Sequence, residues 1–138
     1  MPALPDDFAA HPARDASLAS MKAVEAGDRA GWLALFAPDA VVEDPIGESP
    51  FDPTGEGHRG IDAIGAFFDS VIAPNQVRFE IRSSHAGGSE VANVGTISTT
   101  MPAGTVVHTD GVFTYRVDDE GRVAALRAYW QLDQLRFG

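Results

Sequence analysis

The chain has 138 residues, too few for two ordinary domains and enough to bury a core without a structural metal or disulfides. Its 20 acidic and 10 basic residues give a formal net charge of -10, which repels a phosphate backbone and argues against a nucleic-acid partner. Cysteine is absent, so thiolate nucleophiles and disulfides are excluded, and no run approaches the roughly 18 apolar residues of a membrane span; a soluble, cytoplasmic protein is expected.

One domain over residues 1–138 is expected, with residues 1–12, rich in Pro and Asp, a flexible lead-in. Leu18, Met21 and Val24, then Trp32, Leu33, Leu35 and Phe36, recur at helical spacing and predict two helices. Gly27-Asp28 separates them, with Asp28 as N-cap of the second. Pro38-Asp39 breaks this pattern, Ala40 to Glu43 reads as a short strand, and Ser49 to Gly60 reads as a loop. Ile61, Ile64, Phe67, Phe68, Val71 and Ile72 predict a third helix that stops before Pro74.

From Val77 the period changes to two. Four strands are predicted, around Val77–Ile81, Val91–Ile97, Val106–Val117 and Val123–Leu132, with turns at Gly87-Gly88, Pro102-Ala103-Gly104 and Asp118 to Gly121. Helices followed by long strands predict an α+β fold in which a curved antiparallel sheet packs on three N-terminal-half helices. A strongly curled sheet cannot meet a helical layer everywhere, so a conical pocket is expected between them.

The run Val41-Val42-Glu43-Asp44-Pro45-Ile46-Gly47 carries the strongest chemical signal. Asp44 ends an apolar strand just before a proline, which predicts a fixed, half-buried carboxylate; desolvation there raises its pKa towards that of a useful general base. The plainer reading is a polar residue at a strand end. The four histidines have no metal-ligand spacing, and His58, just after Phe51 to Gly57, is expected near the pocket mouth. No phosphate loop or dinucleotide fingerprint is present, so no cofactor is expected.

Together with the order of elements, the words Ala26-Gly27-Asp28, Leu33-Ala34-Leu35-Phe36-Ala37, Val42 to Gly47 and Arg127-Ala128-Tyr129-Trp130 resemble the steroid Δ-isomerase (ketosteroid isomerase) family, within the NTF2-like and SnoaL-like fold group. The resemblance spans about residues 16–132 and implies the cone-shaped NTF2-like fold. It also implies a small hydrophobic ligand, a 3-oxo steroid or a similar polycyclic ketone, with Asp44 at the position of the aspartate that moves a proton between two carbons. Ketosteroid isomerase is itself a known example of such pKa tuning.

Two of the family's positions differ. Counting from Asp44 puts Ser20 where the family has a tyrosine, and counting back from Gly121 puts Phe113 where it has a protonated aspartate. Tyr115, two residues beyond Phe113, shares its strand face; its phenol either reaches an oxyanion in the cavity or packs as a core aromatic. Asp110 either faces water or is turned inward by a bulge at Gly111. The resemblance further implies a cavity wall of Leu126, Ala128 and Trp130; Val42, Pro45, Phe68 and Phe113 are expected to add to a substrate-binding surface, and Asp44, Tyr115 and Ser20 are the candidate catalytic residues. A homodimer covering the open sheet face is expected. Steroid isomerisation, polyketide cyclisation and non-catalytic steroid binding are the functions this reading leaves open.

Overall fold

The computed structural model describes residues 10–138. The first nine residues of the expected lead-in lie outside the described residues, and its last two instead open a helix. α1 (Pro12–Ala26) has a proline in its first turn, where a missing N–H costs nothing, and the His11 imidazole accepts the Ala13 N–H at 3.1 Å. It stops at Gly27, whose left-handed φ of 67° closes the last turn. Asp28 then caps α2 (Arg29–Leu33), accepting the Gly31 N–H at 3.0 Å as expected.

The predicted second helix is shortened by a strand. β1 runs Phe36–Glu43, starting four residues before Ala40, because β6 (Val123–Tyr129) recruits this segment in parallel pairing. The ladder slips between Phe36 and Val41, which accommodates Pro38 without a lost sheet bond. Residues 49–60 are likewise more than a loop: β2 (His58–Arg59) pairs antiparallel with β1, and Ser49 bridges Asp52. The third helix is α3 (Ile61–Phe67), followed directly by a wider π-helical turn over Phe68–Ile72.

β3 (Gln76–Gly87), β4 (Glu90–Thr100), β5 (Val106–Val117) and β6 form the expected antiparallel run. The complete sheet is mixed and seven-stranded, in the order β2-β1-β6-β5-β4-β3, with β7 (Arg136–Phe137) on β5. β6 ends at Tyr129 rather than at Leu132, and a short 3-10 turn over Leu132–Gln134 leads into β7. Ile81, Gly95 and Gly111 form one row across β3, β4 and β5, and β3 carries a register slip between Ile81 and Ser83. A Cβ on Gly95 would collide with the Glu80 carbonyl, and one on Gly111 with the Tyr129 carbonyl. A bulge beside two glycines lets a twisted sheet bend over the helices.

The core lies inside this bend. Trp32 is almost fully buried, edge-on to Phe36 at 4.7 Å and tilted against Phe68 at 5.4 Å, and Ile64, Val42, Val91 and Val123 pack in the same cluster. Among the described residues no helix is long and apolar enough to cross a membrane.

Candidate active site

Asp44 is tied down from three sides. Upstream, the parallel register sets Glu43 beside Arg127, and their side chains form an ion pair at 2.5 Å. Downstream, after a cis Asp44–Pro45 peptide bond, the Ile46 N–H donates to the Ala128 carbonyl at 3.0 Å, so the chain stays attached to β6 beyond the end of β1. Laterally, the Trp130 indole N–H donates to Asp44 Oδ1 at 2.6 Å. Burial outweighs these contacts and pushes the carboxyl above its ordinary range, against the pull of the Trp130 hydrogen bond and of the His58 imidazole.

The space between sheet and helices has two compartments. The inner one, about 90 Å³, is lined mostly by apolar side chains, among them Met21, Val24, Phe67, Phe113 and Leu126, and its polar wall includes Ser20, Asp44 and Tyr115. The outer one, about 350 Å³, has Trp130, Phe51, Met101 and Phe137 in its wall. Asp44, Val71, Ile97 and Thr99 belong to both, which places the carboxylate at the junction.

On the wall of the inner compartment three polar atoms form a chain. The Trp32 indole N–H donates to Ser20 Oγ at 2.9 Å, and Ser20 Oγ shares a hydrogen bond with the Tyr115 hydroxyl, also at 2.9 Å. All three residues are at most 4 % exposed. Burial pushes the Tyr115 phenol well above its ordinary range, the Ser20 hydrogen bond pulls it down, and the Asp44 charge pushes it up again. It is therefore a neutral hydrogen-bond donor at any ordinary pH.

Of the residues singled out in the sequence, Asp44, Ser20, Tyr115, Phe113 and Ala128 meet at the inner compartment and Trp130 at the outer one. Phe113 and Tyr115 share a wall because residues two apart on β5 face the same way. Val42, Pro45 and Phe68 line neither compartment. Val42 is fully buried in the core cluster, Pro45 is buried, and Phe68, at the start of the π-helical turn, packs against Trp32. No bulge turns Asp110 inward: it pairs with Thr96 in regular register, accepts the Thr96 hydroxyl at 2.6 Å and forms an ion pair with Arg136 at 2.7 Å.

The His58 ring lies tilted against the Phe67 ring at 4.8 Å with its Nε2 buried, and it lines neither compartment. Two further features escape a reading of the sequence. Trp32 reads as core, although a buried indole N–H needs an acceptor and so points to a polar neighbour. The outer wall is signalled only by isolated apolar residues in polar surroundings, Phe51 in the 51–57 segment and Phe137 at the C-terminus, which is 70 % exposed.

The site thus pairs a desolvated carboxylate with a neutral phenol across an apolar cavity, an arrangement suited to moving a proton on carbon next to a carbonyl. Comparison with known proteins agrees with it. Residues 18–126 match the SnoaL-like domain family. A steroid Δ-isomerase of Nocardioides simplex is 32 % identical over 113 residues, covering 80 % of this chain and 82 % of that protein. The crystal structure of a Δ5-3-ketosteroid isomerase from a Mycobacterium species superposes with a TM-score of 0.90 at 45 % identity, over 94 % of this chain and all (100 %) of that one. A Mycobacterium tuberculosis protein solved in complex with estradiol-17beta-hemisuccinate superposes with a TM-score of 0.88 at 41 % identity, over 93 % of this chain and 100 % of that one. With fold, carboxylate and cavity in agreement with these relatives, the chain belongs to the SnoaL-like, steroid Δ-isomerase family.

Proposed function

We propose that the protein is a steroid Δ-isomerase that converts a Δ5-3-oxo steroid to its conjugated Δ4 isomer, with Asp44 as the base and Tyr115 as the oxyanion donor. The observation that carries this reading is Asp44 on the wall common to both compartments, with Tyr115 on the wall of the inner one. The ketone enters first and meets the phenol, and the apolar ring system extends past Asp44 towards Trp130. Asp44 removes a proton from C4, the C4–H electrons form the C3=C4 bond of a dienolate, and O3 takes the negative charge. Tyr115 holds that oxygen by donating its O–H. The protonated Asp44 then returns the same proton to C6, the dienolate electrons close as C4=C5, and the ketone re-forms. One carboxylate on one face of the steroid serves both carbons, and no atom is gained or lost.

The raised pKa of Asp44 fits this role, because a carboxylate made more basic by burial is better able to remove a carbon-bound proton. A second reading, a steroid-binding protein with slow or no turnover, rests on Phe113, which cannot donate a hydrogen bond where the family has an acid. Isomerisation of 5-androstene-3,17-dione, followed by the absorbance of the conjugated enone, separates the two. Turnover by wild type that falls on the order of 10²–10⁴-fold in Asp44→Asn, with steroid binding retained, is the expected result. Equal turnover in the two proteins overturns the role of Asp44, and steroid binding without turnover in wild type establishes the carrier.

A further inference from the structure

We propose that Trp32 and Ser20 are positioning residues that form a one-way donor chain, Trp32 to Ser20 to Tyr115, which directs the Tyr115 O–H to a ligand oxygen in the inner compartment. The inference rests on the proposed placement of the ligand oxygen at Tyr115 and adds what sets that donor's direction and strength.

An indole N–H can only donate, so one lone pair of Ser20 Oγ is committed to Trp32. Ser20 and Tyr115 can then share their hydrogen bond in either direction. Without a ligand the two orders compete. An acceptor oxygen in the cavity decides between them, because a phenol is a far stronger donor than an alkyl hydroxyl. The arrangement that offers the stronger donor outward is Trp32 N–H to Ser20 Oγ, Ser20 O–H to the Tyr115 oxygen, and Tyr115 O–H to the ligand. Every polar hydrogen of the chain is then paired. In the opposite order Tyr115 spends its proton on Ser20 and leaves the weaker hydroxyl to face the ligand.

Among the described residues, the side chains of Trp32, Ser20 and Tyr115 have no hydrogen bonds besides these two, and all three are sealed from solvent, so the proton order is not scrambled by outside partners. Burial also strengthens each bond and lets one polarise the next. The chain crosses the fold from α2 to α1 to β5. The short Ser20 side chain, standing where the family carries its tyrosine, leaves room for a phenol that arrives from the opposite, sheet wall and ends 2.9 Å from Ser20 Oγ.

A phenolic steroid with an ionisable hydroxyl at its ring end, such as equilenin, reads this directly, because bound phenol and phenolate differ in absorbance and fluorescence. Titrations are made on full-length protein carrying Asp44→Asn, so that the carboxylate does not titrate with the ligand. The expected result is a bound phenol more acidic than the free one. Tyr115→Phe should lower the bound phenolate-to-phenol ratio by roughly tenfold or more, as befits loss of a charge-assisted hydrogen bond. Ser20→Ala should lower it by on the order of threefold, and Trp32→Phe by about twofold, since each removes a polarising link and leaves Tyr115 in place.

A purely structural role for Ser20 or Trp32 would weaken binding of both ligand forms alike and leave that ratio unmoved. An unmoved ratio in Ser20→Ala and Trp32→Phe, measured on variants whose melting temperatures show a folded protein, overturns the proposal. So does a bound phenol no more acidic than the free one, or a failure of the Asp44→Asn protein to bind the phenolic steroid. Because no turnover is involved, the expected ratios in the Asp44→Asn background, beside a wild-type protein that lacks isomerase activity, uphold the donor chain while the catalytic reading falls.

Discussion

The cavity junction at Asp44 and the β5–β7 edge at Asp110 are each built around an aspartate accepting short hydrogen bonds, yet their surroundings drive the two carboxyls in opposite directions. Asp110 faces Arg136 and Thr96 at an exposed edge, and the guanidinium holds its pKa well below the usual carboxylate range. Asp44 receives a neutral indole donor and lies under apolar side chains, so burial dominates and its pKa rises. The cation near Asp44's chain neighbour is already taken: Arg127 pairs with Glu43. A carboxylate kept from a guanidinium and removed from water keeps its basicity, whereas one given a guanidinium becomes a structural clasp.

Three changes break or sharpen this contrast. The largest effect is expected from Trp130→Phe, which removes the hydrogen bond that opposes desolvation. The Asp44 pKa then rises further, the acid limb of the kcat/KM profile moves to higher pH, and turnover on that limb falls by roughly tenfold. A pH–rate profile with an unmoved acid limb would show that the indole does not tune the base.

Next is the stability of Asp44→Asn. A carboxyl whose folded pKa is raised above its ordinary 3.8 costs stability where it is ionised, so the penalty is absent below that value and grows as pH rises through the folded pKa. The substituted amide carries no such penalty and still accepts from Trp130. The variant should therefore melt a few degrees above wild type at pH 8, with the gap closing towards pH 4; a gap independent of pH would contradict a desolvated charge.

The smallest effect belongs to Asp110→Asn. Its depressed pKa has the opposite sign: the stabilisation is present above 3.8 and is lost as pH falls below it. Because the pair is exposed and screened, the melting temperature at neutral pH should drop by at most about 3 °C, and the kcat/KM profile should stay in place. A shifted profile would mean that the two aspartates are coupled through the sheet.

What could be read in advance follows the range of the interactions. Asp28 as a cap, Asp44 at a strand end and Phe113 with Tyr115 on one face all depend on residues within a few positions, and each lies where local rules put it. The spacing of Phe36 from Trp32 and Leu33 is helical, and only β6, more than eighty residues later, turns it into strand. Phe68 keeps helical spacing too, but the π-helical turn changes the angular step, and its ring packs on Trp32 instead of the cavity. The tie between Trp130 and Asp44 and the chain from Trp32 to Tyr115 join distant segments, so nothing local announces them.

The row of Ile81, Gly95 and Gly111, with its register slip in β3, gives the curvature of the sheet to the backbone. Side chains that line the hollow, such as Phe113, Leu126 and Ala128, are therefore not needed to make the hollow. They can be exchanged for larger, smaller or more polar ones while the scaffold keeps its shape. A fold built this way lends itself to acquiring new ligands by substitution inside the cone, both in natural divergence and in the hands of a designer.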